Sequence, residues 1–318
     1  MIRVISSLVN RRGWHKDSKM KPYLLTLNTL LFSAALFMVA LHEQSPTLAQ
    51  QVDANRTEPV TLRVLSYNIR YNNPNDGEHA WPNRKNRVAG LIQFHQADLI
   101  GMQEVLRNQI DDLERLLPEY AWTGVGRDDG EDAGEFSPIF YRVDRFELLG
   151  SGTFWLSETP EVVASKSWDA ALTRIAHWAR LLDLRTGQSI FFLNTHFDHR
   201  GEQARTQSAA LIVQRVAQLA SDDPVIVSGD FNVPPTAPAY AAMTSALIDS
   251  RLVSLTSPYG PEGTFSGFTV GATPLEERID YIFVDDSVVV ERHGVLSDQW
   301  HGNYPSDHLP VLSEIWFR

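Results

Sequence analysis

The sequence has no cysteine in its 318 residues. That excludes a disulfide framework and thiolate chemistry, and it leaves the redox compartment unreadable. Positive charge is scarce as well: 28 Lys and Arg stand against 39 Asp and Glu, a formal net charge of −11. Duplex binding normally depends on phosphate neutralisation by Lys and Arg, so this balance argues against a dedicated DNA-binding protein, although a local basic groove is compatible with it. Internal repeats, low-complexity tracts and linker-like stretches are missing from residue 61 onward, so 61–318 reads as one domain. A hydrophobic fraction of 43% and a charged fraction of 21% describe an ordinary globular chain, long enough to bury a large core.

What is present at the N-terminus reads as an export signal. Lys16, Lys19 and Lys21 precede a mostly apolar stretch from Tyr23 to Leu41, and Thr47-Leu48-Ala49 supplies a small-residue cleavage pattern. Residues 1–49 are therefore expected to be a signal peptide, with Met20 the candidate true start, followed by a linker over 50–60. The alternative is a membrane anchor over residues 23–41, the one route by which this chain would meet a membrane; the polar Thr26, Asn28, Thr29 and Ser33 dilute that stretch. Export would place the protein in the periplasm or outside the cell. Removing residues 1–49 takes away six Lys/Arg and two Asp/Glu, which leaves 22 against 37, a net charge of −15.

The mature chain alternates strand-like and helix-like segments. Leu62–Arg70 alternates as a strand, and Asn72–Gly77 is a loop. Asn83 is a candidate cap for a helix from Arg84 to about Gln96. Asp98–Val105 is a buried strand, and a short helix follows near Asn108–Leu117. Strands are expected over Ser137–Arg142 and Phe146–Leu156, then a long connection over Glu158–Thr173, then a hairpin of Ala176–Leu184 and Ile190–Asn194 around Thr186-Gly187. Gly201–Ala220 has helical periodicity. The apolar run Val225-Ile226-Val227 then ends abruptly in Ser-Gly-Asp-Phe-Asn-Val-Pro-Pro. A short helix over Tyr240–Leu247 and strands over Thr264–Phe268, Arg278–Val284, Val288–Leu296 and Leu309–Trp316 complete the chain.

Chemistry-bearing residues recur at the ends of these strands: Asn68, Glu104, His196, and Asp230 with Asn232. Asp280 and Asp307-His308 stand at strand starts. Each alone has an ordinary structural explanation, a cap, a turn or a satisfied core histidine. Their recurrence at one kind of place points to a site, because ligand sites gather at strand ends. Residues i and i+2 of a strand share a side, so Asp230 and Asn232 are expected to act on one point if the extended geometry persists through the motif. Asp280, inside an apolar run, needs a partner.

In order, Asn68-Ile69, Gln103-Glu104-Val105, Asn194-Thr195-His196, Gly229-Asp230-Phe231-Asn232, Arg278-Ile279-Asp280-Tyr281-Ile282-Phe283 and Ser306-Asp307-His308 resemble the signature of the endonuclease/exonuclease/phosphatase superfamily. Arg205-Thr206-Gln207, with Pro235 and Tyr240, resembles its deadenylase and nocturnin branch and that branch's secreted bacterial relatives. The resemblance implies an α/β fold, a four-layer sandwich of two mixed β-sheets packed face to face with helices outside. It also implies hydrolysis of phosphodiester or phosphomonoester bonds with Mg²⁺, Mn²⁺ being the substitute ion. By the same resemblance Glu104 is the principal metal ligand with Asn68 and Asp307 close by. Asp230 and Asn232 activate and orient the attacking water, and Asp280 and His308 form an Asp–His dyad. His196 contacts the scissile phosphate, His199 binds phosphate, and Glu135 partners His196. The general base stays open between Asp230 and His308.

Three substrate classes follow: a small phosphoester, single-stranded RNA or DNA, and a phospholipid head group. The nuclease fits the nearest branch, whereas acidity and export fit a small phosphoester or a phospholipid head group better; a monomer without a stable duplex partner is expected. No membrane-inserting aromatic hairpin of the secreted sphingomyelinase kind is identifiable. A non-catalytic binder is disfavoured because Glu104, Asp230 and His308 are all intact. Arg174, His196, His199 and Arg142 are candidates for a local cationic patch, with Arg174 alone reading as a solvated surface charge. Trp81, Trp122, Trp155, Trp168, Trp178 and Trp300 are candidate stacking platforms.

Overall fold

A computed structural model describes residues 59–271, 275 and 277–318. The signal or anchor expected within residues 1–49, and nearly all of the 50–60 linker, lie outside the described residues. The strands are β1 (Leu62–Asn68), β2 (Leu99–Gln103), β3 (Tyr120–Thr123), β4 (Ile139–Arg142), β5 (Phe146–Trp155), β6 (Ile175–Asp183), β7 (Gln188–His196), β8 (Val225–Asp230), β9 (Ile248–Asp249), β10 (Asp280–Val284), β11 (Val288–Val295) and β12 (Val311–Phe317). The helices are α1 (Trp81–His95), α2 (Arg107–Leu116), α3 (Glu202–Leu219) and α4 (Pro238–Thr244).

Two six-stranded sheets result, in the orders β11-β12-β1-β2-β4-β3 and β5-β6-β7-β8-β10-β9. Each is mixed. The parallel pairs are β1–β2 and β7–β8, bridged by α1 and α3 respectively, as a parallel crossover requires. Thr186-Gly187 closes the β6–β7 hairpin as expected, with Asp183 opposite Gln188.

The period-2 alternation of side chains sorts the apolar residues into three cores. Leu62, Val64, Leu99, Leu181, Ile190, Phe192, Ile226, Ile282 and Val284 fill the space between the sheets. Leu65, Tyr67, Ile100 and Met102 face the other way, onto Val88, Leu91 and Ile92 of α1 and Ile110 and Leu113 of α2. Phe191, Leu193, Val225, Val227, Tyr281 and Phe283 pack on Ala209, Ile212 and Val216 of α3 and Met243 of α4. The four layers are thus helices, sheet, sheet, helices.

Several boundaries differ from expectation. α1 begins at Trp81 with Ala80 as its cap and Pro82 in the first turn, where proline's fixed φ suits a helix start. Asn83 instead donates to the carbonyls of Gly77 and Glu78. The loop after β1 contains a 3-10 helix, Pro74–His79. Thr264–Phe268 is not a strand; Phe265 makes one isolated bridge to His308.

Candidate active site

The inner faces of the strands change character along their length. In β1, β7, β8 and β10 the inward positions are even-numbered, and each runs from aliphatic to polar: Leu62, Val64, Ser66, Asn68; Ile190, Phe192, Asn194, His196; Ile226, Ser228, Asp230; and, reading β10 backward, Val284, Ile282, Asp280. In β2 the inward set is Leu99, Gly101, Gln103. One end of the inter-sheet space is therefore oil and the other is a polar site.

Between the two sits a buried amide node. Asn194 Oδ1 accepts from Gln103 Nε2 at 2.7 Å and Ser228 Oγ at 3.1 Å, while its Nδ2 donates to the carbonyls of Met102 at 2.6 Å and Pro138 at 3.1 Å. This pins β7 and β8 of one sheet to β2 of the other directly behind the reactive groups. A Cβ on Gly101 would overlap Ser228 Oγ and Asn194 Oδ1, so the close approach needs glycine.

The register of β8 and β10 places Asp230 opposite Asp280. His308 Nδ1 lies 2.9 Å from Asp280 Oδ2, and its Nε2 is 3.7 Å from Asp230 Oδ2. The same Asp230 oxygen accepts from Asn68 Nδ2 at 2.9 Å and lies 3.4 Å from His196 Nε2. Burial pushes the Asp230 carboxyl up to about 7, with the Asp280 charge adding to it. Burial alone would depress His308, but the carboxylates of Asp280 and Asp230 outweigh it and hold the imidazole well above its usual value. His196 goes the other way: burial, with Arg174 and Arg127 nearby, holds it neutral.

The extended geometry does not persist to Asn232. Its φ is +52°, its N–H donates to Asp230 Oδ1 at 3.0 Å, and its Nδ2 donates to the Phe197 carbonyl at 3.0 Å. Glu104 likewise leaves β2 in a left-handed conformation, with φ +61°. Its oxygens accept from Asn68 Nδ2 at 3.2 Å and Tyr71 N–H at 3.1 Å.

A cleft of about 490 Å³ opens over these groups, lined by Glu104, Asp307, Asp230, Asn232, His308, His196, Glu135, Arg174 and His199 among the expected residues. Asn68 and Asp280 stand behind it, buried and holding lining groups in place. At one end Glu135 accepts from Arg127 Nη1 at 2.7 Å, with Arg174 at 3.7 Å and His196 Nδ1 at 3.8 Å. Arg174 is buried rather than a solvated charge; its Nε and Nη1, with Arg127 Nε and His196 Nδ1, have no hydrogen-bond partner among the described residues. His199, at the rim, is 3.5 Å from Arg174 Nη2. Arg142 is elsewhere: it pairs with Asp144, beside the start of β2 rather than its end. None of the six candidate tryptophans lines the cleft. Trp155 is an anchor, its Nε1 donating to the carbonyl of Arg127 at 2.8 Å.

Residues 65–308 match the model of the Endonuclease/Exonuclease/phosphatase family. The chain belongs to that family. A mannosyl-6-phosphatase from Bacteroides thetaiotaomicron is 42% identical, with a TM-score of 0.78 over 80% of this chain and 100% of that one. Xenopus laevis nocturnin is 23% identical over 323 residues, 88% of this chain and 80% of nocturnin. An uncharacterised Acanthamoeba polyphaga mimivirus protein is 24% identical over 280 residues, 75% of this chain, which spans only 39% of that protein's length. Family members are metal-dependent hydrolases of phosphoester bonds, and this chain is a phosphoesterase.

The donor set fits a hard cation. Glu104, Asp230, Asp280 and Asp307 crowd one buried corner. Asp307 is pushed up by burial, an effect that His308, Arg70 and Arg84 oppose and the Glu104 charge adds to. Asp230, Asp280 and His308 offer ligand atoms within 4.8 Å of one another. Because His308 Nδ1 is engaged with Asp280, the carboxylate oxygens of Glu104 and Asp307 suit a hard ion better; Asn68 adjoins them, its Nδ2 donating to Glu104 and its Oδ1 accepting from Arg70 N–H. Sequence reasoning missed Arg70, which lines the cleft 3.8 Å from both Glu104 and Asp307, and Arg127. The available signal for Arg70 was its place two residues beyond Asn68; for Arg127 it was a lone cation heading an acidic loop.

Proposed function

We propose that this phosphoesterase removes the phosphoryl group from small sugar-phosphate monoesters with Mg²⁺. The observation that carries the reading is the cleft: a polar cavity of small-molecule size, with cations at two sides and no tryptophan platform for stacked bases. Its lining includes a further acid, Glu277, which disfavours a polyanion. Likeness to a mannosyl-6-phosphatase across that protein's whole length supports the same class.

Asp230 and His308 are both shifted upward, which brings the carboxyl toward neutrality and keeps the imidazole cationic, and this supports a division of labour. Asp230, raised toward neutrality, takes the proton of the attacking water. Asn232, its amide anchored on Phe197, orients that water. The water oxygen bonds to phosphorus as the phosphorus–sugar oxygen bond breaks, and cationic His308 gives its Nε2 proton to the leaving oxygen. Asp280 holds His308 by Nδ1 and so aims Nε2 at the centre. Neutral His196 and the guanidinium of Arg174, both lining the cleft, bind the equatorial oxygens. Glu104, Asp307 and Asn68 would hold the metal, which supplies charge neutralisation for the phosphoryl group.

The test is initial rates with Mg²⁺ on hexose 6-phosphates, a phosphocholine lipid, and short and long single-stranded oligonucleotides across a salt series. The sugar phosphates should turn over fastest, with a shallow loss in salt. Preference for the long chain with a steep salt slope would refute the proposal and make the chain a nuclease.

A further inference from the structure

Arg70 is built into the cleft with more care than an ion pair requires. It is a non-glycine residue in the left-handed region, φ +57°, a conformation that persists only where its surroundings over-determine it. They do. Arg84, almost fully buried in α1, donates to the carbonyls of Ile69, Arg70 and His79. Gln109, fully buried in α2, donates to the Arg70 carbonyl at 2.9 Å and accepts from Asn72 N–H at 3.1 Å. The Arg70 N–H donates to Asn68 Oδ1 at 3.0 Å. Asp76 takes the guanidinium by its Nε and Nη2, at 3.0 and 3.2 Å. What remains without a hydrogen bond among the described residues is Nη1, 3.8 Å from Glu104 Oε2, on a residue that lines the cleft with Arg174.

A monoester phosphoryl group carries close to two negative charges near neutral pH and has three non-bridging oxygens; a diester carries one charge and has two. A cleft with a metal corner and cations on two sides can engage the third oxygen and second charge only if one cation is free to do so. We propose that Arg70 is the specificity residue that makes the site prefer monoesters to diesters, its Nη1 binding the phosphoryl oxygen that a diester lacks. This deepens the monoesterase reading and rests on it. A purely structural role is the competing account, in which Arg70 only neutralises Glu104 and Asp307.

The experiment compares wild type, Arg70→Met and Arg70→Lys on p-nitrophenyl phosphate and bis(p-nitrophenyl) phosphate, with calorimetric binding of Mn²⁺ and, to the Mn²⁺-loaded protein, of inorganic phosphate. Arg70→Met should cut the monoester-to-diester ratio of kcat/KM at least tenfold, through KM for the monoester, and weaken phosphate binding at least tenfold. Its Mn²⁺ affinity should hold or tighten, since a neighbouring cation has been removed. Arg70→Lys should recover part of the ratio. Equal losses on both substrates, unchanged phosphate binding, or weaker Mn²⁺ binding would each overturn the assignment. A wild type that prefers the diester, or that ignores sugar phosphates, refutes the proposed function instead, while phosphate binding still reads Arg70 directly.

Discussion

Two buried histidines far from the chemistry make the fold acid-labile by an amount that can be worked out. His177 on β6 sits between Thr153 Oγ1 at 2.6 Å in its own sheet and Thr123 Oγ1 at 3.1 Å in the other. His293 on β11 shares its Nδ1 between Ser313 at 3.1 Å and Ser250 at 3.0 Å, just after β9. The pair thus close the sandwich near its two lateral edges. Neither hydrogen-bonds to a carboxylate, and burial drops each from 6.5 to about 3. The folded values are depressed, so between about 6.5 and 3 the unfolded chain takes up protons that the native state refuses. Stability is full above that window and drains as pH falls through it. From pH 7.5 to 5 each histidine should cost about 2 kcal/mol, the pair about 4, against a total of roughly 5–15. Urea denaturation of wild type and His177→Gln at both pH values isolates one contribution. The variant should be the less stable at pH 7.5 and should recover about 2 kcal/mol relative to wild type at pH 5. A gap that stays constant between the two pH values would show that His177 is protonated in the fold and would refute the reasoning.

Glu104→Gln should abolish phosphoesterase turnover and weaken Mn²⁺ binding while leaving the far-ultraviolet circular dichroism unchanged; undiminished turnover, or wild-type activity that survives exhaustive chelation, would remove Glu104 from the metal corner. Gly101→Ala should cost about 1–3 kcal/mol, lowering Tm by several degrees, because the new methyl meets Ser228 and Asn194; an unchanged Tm would mean that the sheets are not held apart by their closest packing here.

Much of the candidate site was legible because the residues that line or back the cleft stand at strand ends, and an apolar run that stops at Asp230 or begins at Asp280 shows in one dimension. Glu135 was legible only through resemblance, since nothing in the loop from Arg127 marks which of its acids turns inward. Arg174 was misread because burial of a lone arginine depends on Glu135 arriving from 39 residues upstream. Asn232 was misplaced because strand periodicity says nothing about where a chain turns left-handed, and Arg70 escaped for the same reason. Thr264–Phe268 was read as a strand on composition, which cannot supply a partner strand; among the described residues it makes an isolated bridge, Phe265 to His308.

The alternation that built the fold also contained more than was taken from it. Once Leu62, Ile190, Ile226 and Ile282 are assigned to the inner layer, parity alone assigns Asn68, His196, Asp230 and Asp280 to the same layer, before any contact is known. Parity also picks out Ser66, Asn194 and Ser228, one step further in, where polar residues serve no chemistry. Their hydrogen bonds explain them: two sheets that approach closely enough to bring Asp230, on one, to Asn68, on the other, must replace aliphatic side chains by amides and hydroxyls that bond across the gap. Gly101 is the residue that lets the gap close. The polar end of the sandwich is therefore one device, in which the amide node sets the sheet spacing and the spacing sets the distances among the groups of the candidate site.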